Sequence, residues 1–190
     1  MIRFSPLAGI ALCASALAAP AAPVPVHLMP KAELFYPTTV GARHVSVWSK
    51  KDLIEEVSKV EKVADGFAVE LEEVAADGTR KHSETVLVTT RGLTRTHSEG
   101  KKVDPPCRML VLPHGAANAW DTLWGSQKEA LRTAGWEEIE VPAGTFRAMR
   151  VDLAGTSGIA HWYAPGIGCV NWYCTTSKVG RPLKSFTPGK

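Results

Sequence analysis

The sequence predicts a mainly β fold: a single, strongly curved antiparallel sheet, connected as a meander, with at most one or two short helices. Several stretches alternate apolar and polar residues, which is the period of a strand with one buried face. Turns that contain glycine or proline separate these stretches at the spacing of hairpins. With 190 residues, 45% of them hydrophobic and 22% charged, the chain has the length and composition of one globular domain. A chain disordered throughout is therefore excluded.

Two hairpins in the second half of the chain are the clearest of these patterns. In Trp136–Asp152, apolar residues alternate with glutamates before the tripeptide Pro142-Ala143-Gly144, and the apolar alternation resumes after it from Phe146. Proline has no N–H to give to a strand ladder and glycine adopts positive φ readily, so this tripeptide is a turn. Ile159–Cys174 repeats the arrangement around Ala164-Pro165-Gly166. The two segments predict two neighbouring strand pairs.

The first half reads as a meander. His44–Ser49 alternates, with His44 on the face expected to meet solvent. Asp52–Ala64 fits both a helical stripe and a strand, and the hairpin turns that follow it favour a strand. Those turns are Asp65-Gly66, Asp77-Gly78 and Arg91-Gly92.

Shorter elements follow. Cys107–Leu112 is predicted to be a short strand, and Lys128–Thr133 either a short helix or a strand arm. Residues 34–177 are predicted to form one β-rich domain. Residues 178–190, rich in Lys, Pro and Gly, are predicted to form a flexible tail, frayed or laid along an edge.

The N-terminus predicts export. Arg3 precedes an apolar, alanine-rich run, and Ala16-Leu17-Ala18 offers the small residues that a signal peptidase reads. Residues 1–18 therefore read as a signal peptide and residues 19–33 as a Pro/Ala-rich linker. A lipid anchor at Cys13 is disfavoured because the bulky Leu12 precedes it. We expect a periplasmic or extracellular protein with no transmembrane segment after signal removal.

Export changes how the cysteines are read. Removal of the signal leaves Cys107, Cys169 and Cys174. Cys169 and Cys174 are five apart, so on one straight strand they face opposite ways and cannot bond each other. In an oxidising compartment we therefore expect a disulfide from Cys107 to one of them, and three unpaired buried thiols are the alternative.

A search for chemistry finds no catalytic or metal-binding motif. The six histidines show no ligand spacing, and nucleophile-elbow, phosphate-loop and dinucleotide-binding motifs are absent. Cys169 and His161 could meet across adjacent strands, but a disulfide or core packing explains the cysteine more simply. The net charge of +3 is dispersed along the chain, which argues against nucleic-acid binding. We expect no metal, no cofactor and no enzymatic activity.

The second half resembles a known family. The segments Val141–Asp152 (VPAGTFRAMRVD) and His161–Trp172 (HWYAPGIGCVNW) are similar to paired strand motifs of exported bacterial domains of unknown function, the domain-of-unknown-function 3108 and TapB-like proteins. The resemblance extends over about Phe35 to Tyr173. It implies a curved antiparallel sheet like the open half-barrels of lipoprotein carriers. It brings no catalytic residues, and Cys169 and Cys174 depart from its pattern.

Aromatic residues supply the candidate binding site. A curved sheet over several aromatics makes either a packed core or an apolar pocket. The first function hypothesis is an envelope protein that binds an apolar or lipid-like ligand on the concave sheet face. The second is a structural or interaction module, with an envelope protein as partner and no small-molecule ligand. The first hypothesis places the ligand against Trp120, Trp124, Phe146, Met149 and Trp162.

Overall fold

Antiparallel strands form nearly all of the chain that the structure, a computed structural model, describes: residues 33–113, 119–124, 127–153 and 158–190. The predicted signal peptide and all but the last residue of the linker lie outside these ranges. Within them no helix forms, and so none that could cross a membrane. The strands are β1 Arg43–Trp48, β2 Lys51–Val63, β3 Gly66–Val74, β4 Arg80–Thr89, β5 Gly92–Ser98, β6 Lys101–Val111, β7 Ala119–Trp124, β8 Gln127–Val141, β9 Gly144–Leu153, β10 Ile159–Ala164, β11 Gly168–Cys174, β12 Val179–Gly180 and β13 Leu183–Thr187.

The strands divide into two antiparallel sheets that do not close into a barrel. The seven-stranded sheet has the order β13-β1-β2-β3-β4-β5-β6, and the six-stranded sheet has the order β12-β11-β10-β9-β8-β7. The mainly β, meandering fold is thus confirmed, with two sheets in place of the single one expected. Two sheets can bury their facing sides against each other, which one open sheet cannot do.

The predicted hairpins form where the turn chemistry placed them. Val141 pairs with Gly144 across the first proline turn, and Ala164 pairs with Gly168 across the second. The ambiguous Asp52–Ala64 segment is strand β2. Gly92 has a packing reason as well as a turn reason, because a Cβ there would lie 1.9 Å from the carbonyl oxygen of Leu110 on the neighbouring strand.

The main core lies where the two sheets face each other. Successive residues of a strand point to opposite faces, so Met149 joins this core while Ala148 belongs to a second, smaller cluster. In the same way, Tyr163 joins the main core and its neighbour Trp162 the smaller cluster. Fully buried members of the main core include Val57, Val69, Leu71, Val86, Val88, Leu131, Met149 and Val151.

The C-terminal segment joins the two sheets. β12 pairs with β11 of one sheet and β13 with β1 of the other. Between them, the Arg181 N–H donates to the Trp172 carbonyl (2.7 Å), and the Val47 N–H donates to the Pro182 carbonyl (3.0 Å). Of residues 178–190, expected as a tail either frayed or laid along an edge, Leu183–Thr187 form an edge strand beside β1, and the buried Leu183 anchors that strand.

The predicted disulfide is not formed. None of the three described cysteines is in a disulfide, so the expected bridge from Cys107 to Cys169 or Cys174 is wrong. Cys107 packs in the main core on β6, whereas Cys169 lies on β11 and donates its S–H to the Asn171 carbonyl at 3.2 Å. β6 and β11 belong to different sheets, so no strand pairing sets these two thiols opposite each other.

Candidate functional site

A cavity of about 460 Å³ lies between the two sheets. Its wall combines apolar side chains with polar and charged ones. The apolar part consists of leucines, Met109 and four aromatic rings, and the polar part of carboxylates, guanidinium groups and imidazoles. The aromatic and polar lining residues are Tyr36, Trp48, Tyr163, Trp172, His44, His161, Ser46, Cys169, Glu55, Glu73, Glu84, Arg95 and Arg181.

Strand alternation and register build the first wall of the cavity. His44, Ser46 and Trp48 are two apart on β1, so they share one face. The register with β2 sets His44 opposite Glu55, and the register of β2 with β3 sets Glu55 opposite Glu73. The expectation that His44 meets solvent is wrong: it is only 7% exposed, because this alternating face turns toward the other sheet.

The second wall comes from the hairpin of β10 and β11. In that hairpin His161 lies opposite Trp172 and Tyr163 opposite Cys169. The rings of His161 and Tyr163 are parallel within 4°, with centroids 6.0 Å apart. Trp172 meets Trp48 of the first wall, with ring centroids 5.4 Å apart. Trp48 is 42% exposed, so the tryptophan pair marks the open side of the cavity.

A largely buried ion pair, in which the Arg95 side chain is 24% and the Glu84 side chain 15% exposed, forms the inner polar group together with a tyrosine. Arg95 Nε donates to Glu84 Oε2 at 2.6 Å, and the Tyr36 hydroxyl donates to Glu84 Oε1 at 2.8 Å. Burial alone would raise the pKa of Glu84. The charge of Arg95 and the hydrogen bonds from Arg95 and Tyr36 lower it by more, so the pKa of Glu84 lies below its usual value. Burial and the Glu84 carboxylate raise the pKa of Tyr36. The carboxylate is therefore ionised and the phenol protonated at neutral pH.

A second ion pair is looser. Arg181 Nη2 lies 3.5 Å from Glu55 Oε2, and the Arg181 side chain is 33% exposed. Glu55 also accepts a hydrogen bond from the Ser83 hydroxyl at 2.8 Å. Burial acts to lower the pKa of Arg181, but the carboxylates of Glu55 and Glu84 outweigh it and the pKa is raised. Arg181 is thus a permanent positive charge in the cavity wall.

The histidines and the cysteine of the site are uncharged at neutral pH. Burial, reinforced by the charges of Arg181 and Arg95, lowers the pKa of His161 to about 3. Burial also lowers the pKa of His44, whose Nε2 lies 2.5 Å from the Ile167 carbonyl and donates to it. Burial raises the pKa of Cys169 to about 11. A thiol that stays protonated is a poor nucleophile, which weighs against a Cys169–His161 catalytic pair.

The residues predicted to hold a ligand do not come together. Trp120 and Met149 are buried in the main core, whereas Phe146 and Trp162 pack in the smaller cluster. The indole N–H of Trp120 donates to the Arg108 carbonyl at 2.8 Å, and that of Trp162 donates to Glu137. Trp124 is on β7, but its side chain lies outside the described part of the structure. None of the other four lines the cavity.

Sequence reasoning missed most of the residues that do line it. The alternation of His44, Ser46 and Trp48 was visible, and it could have indicated a second buried face. The charged residues gave no such signal, because Glu84 and Arg95 read as ordinary solvent positions in strands. Among the described residues, no group of three or more His, Cys, Asp or Glu side chains is arranged to hold a metal ion.

Comparison with known proteins gives information on the fold, through solved structures. No protein-family model matches the chain, and no curated protein matches it, so the resemblance to the domain-of-unknown-function 3108 family stays a prediction. The solved structure of a candidate lipoprotein from Parabacteroides distasonis ATCC 8503 matches with a TM-score of 0.51 and 17% identity, over 83% of this chain and 100% of that one. A candidate exported protein with a YmcC-like fold from Bacteroides fragilis matches at 0.45 and 15%, over 82% and 99%. At its low identity, the first of these likenesses shows the fold alone.

Proposed function

We propose that this is an exported, non-catalytic protein that binds a small amphiphilic molecule in the cavity between its sheets. The observation that carries the proposal is the cavity itself, about 460 Å³ and walled by both sheets. Ligand pockets in proteins have volumes of about 300–1,000 Å³ and combine an apolar wall with a few placed polar groups. The signal-peptide pattern of residues 1–18 supports export.

The lining favours an amphiphile over a purely apolar ligand. Leu53, Leu71 and Leu183 offer contacts for a hydrocarbon segment, and the tryptophan pair extends these contacts to the opening. Glu84 and Arg95 bring a charged pair to the same space. A ligand with one apolar and one polar part binds such a cavity more favourably, because its apolar part contacts apolar side chains and its polar part contacts polar ones.

The protonation states support binding rather than catalysis. A general acid or base works best with a pKa near the operating pH. The pKa of Cys169 is about 11 and that of His161 about 3, so neither group exchanges a proton readily near pH 7. Glu84 is held ionised by two donors.

Native mass spectrometry of the protein purified from its own host tests the proposal. The cavity-filling variant Ser46→Phe places a ring in the cavity, and the matched control Thr145→Phe places the same ring on an exposed surface of β9. We expect wild type and control to carry an additional small-molecule mass that Ser46→Phe lacks. Bare masses throughout, together with no binding of added dodecanol, dodecanoate, dodecyl phosphate or dodecylammonium to wild type, would overturn the proposal and leave the structural or interaction module.

A further inference from the structure

The inner carboxylates of the cavity already have partners within the protein, whereas some of its hydrogen-bond donors can take a further acceptor. Both oxygens of Glu84 accept hydrogen bonds, one from Tyr36 and one from Arg95. Glu55 accepts from Ser83 and faces Arg181. Glu84 and Glu55 therefore already have hydrogen-bond and ionic partners within the protein. An incoming ligand gains little by bringing another donor to them.

Arg181 is a donor with capacity to spare. Its guanidinium has five N–H groups, and its ion pair among the described residues is to Glu55, at 3.5 Å and without hydrogen-bond geometry. The side chain is one-third exposed, in the segment where the chain crosses between the sheets. A planar guanidinium can bind a second oxyanion beside the first.

Tyr163 is the second such donor. It is 3% exposed and lines the cavity, and its hydroxyl can donate one hydrogen bond. Burial, followed by the nearby Cys169, raises the pKa of Tyr163, so the O–H stays protonated. Cys169, opposite Tyr163 in the strand register, lines the same cavity as Arg181.

We propose that the amphiphile carries an oxyanion head group, a carboxylate or a phosphate monoester, that pairs with Arg181 and accepts a hydrogen bond from the Tyr163 hydroxyl. The apolar part of the ligand then lies toward the leucines and the tryptophan pair. This inference rests on the proposed function, since it specifies the ligand of the same cavity. The inner charges favour it: Glu84 and Glu55 are balanced by Arg95 and Arg181, and the remaining carboxylate, Glu73, is exposed.

Calorimetric titration with ligands of one chain length tests the head group. Dodecanoate and dodecyl phosphate carry the proposed charge, dodecanol carries none, and dodecylammonium carries the opposite one. We expect at least one of the anions to bind about 10- to 100-fold more tightly than dodecanol, the value of a charge-assisted contact, and dodecylammonium to bind no better than dodecanol. The two anions distinguish a carboxylate from a phosphate ligand.

Substitutions assign the effect to the two residues. Arg181→Gln should remove most of the preference for the anion while dodecanol affinity changes little. Tyr163→Phe, which deletes one hydroxyl, should weaken anion binding about 5- to 10-fold. Matched controls outside the cavity, Arg147→Gln and Tyr173→Phe, should bind as wild type does. Melting curves establish that each variant is folded.

The possible results separate the two proposals. If dodecanol binds as tightly as both anions, or dodecylammonium binds most tightly, the head-group inference is overturned and the amphiphile-binding function stands. If Tyr163→Phe and Arg181→Gln both retain the full anion preference, these residues are not the head-group site. If none of the four ligands binds, both the proposed amphiphile binding and the head-group inference are overturned.

Discussion

The buried imidazole of His161 should make the fold sensitive to acid. Its pKa is lowered to about 3 in the folded protein, chiefly by burial and then by the charges of Arg181 and Arg95. In the unfolded chain a histidine has a pKa of about 6.5. Between these values the unfolded chain binds a proton that the folded chain does not, so stability falls as pH falls. At about 1.36 kcal/mol per pH unit, the loss attributable to His161 is about 5 kcal/mol between pH 6.5 and 3, of which about 3 kcal/mol has occurred by pH 4.

Urea unfolding followed by tryptophan fluorescence measures this loss. Wild type is compared at pH 7 and pH 4 with His161→Phe, which keeps a flat ring beside Tyr163 but cannot titrate. We expect the pH 4 penalty of the variant to be smaller than that of wild type by about 3 kcal/mol. A penalty remains in the variant, because burial lowers the pKa of His44 as well and its effect has the same sign.

A second replacement separates titration from packing. His161→Gln has a different shape from the phenylalanine variant and should have a different stability at pH 7. Both variants should nevertheless show the same reduced dependence on pH, because that dependence comes from the lost proton site. If wild type and both variants lose equal stability between pH 7 and pH 4, the imidazole is not held neutral by burial and the reasoning is refuted.

Three further outcomes are expected. With a pKa of about 11 against an ordinary 9.0, the Cys169 thiol should react with iodoacetamide at pH 8 about 100-fold more slowly than an ordinary thiol, and reaction at the ordinary rate would show an exposed or ionised sulfur. In melting experiments Gly92→Ala should destabilise far more than Gly78→Ala, since the new Cβ lies 1.9 Å from a strand carbonyl in the first case and meets nothing within 4 Å in the second; equal costs would contradict this geometry. In urea unfolding, Arg95→Met should cost about 3 kcal/mol, the lower end of the range for a buried pair, by leaving the largely buried Glu84 without its cation. Glu84→Leu with Arg95→Met should restore most of that stability, and a double variant as unstable as the single one would contradict this.

Local sequence signals predict the strands and hairpins well because those elements depend on neighbours along the chain. Asp77-Gly78 and the two proline turns fix where a strand ends, and alternation fixes which residues share a face. The division into two sheets depends instead on whether β6 and β7 pair, and no local pattern reports on that. β13 is hard to predict for a related reason: its place along β1 depends on only two apolar residues, the buried Leu183 and the partly buried Phe186, in a short segment.

The site was harder to predict because its residues were judged by type rather than by position. Phe146 and Met149 are three apart on β9, so they point to opposite faces and cannot line one pocket. Their predicted grouping followed from apolar character alone. Glu84 and Arg95, which do line the cavity, are charged residues of the kind usually found at the surface. Only the pairing of β4 with β5 and the second sheet above them place these charges inside.

The interior charges also bear on the choice between the two function hypotheses. A buried ion pair contributes little stability compared with apolar side chains of similar volume, because desolvation offsets the attraction between the charges. A purely structural module would therefore be at least as stable with leucine and methionine in place of Glu84 and Arg95. In this protein the pair lies in the wall of a cavity that apolar packing leaves open, beside a second pair, Glu55 and Arg181, whose guanidinium has capacity for a further acceptor. Charge kept at a stability cost, next to a space of ligand size, favours the binding function over the structural one.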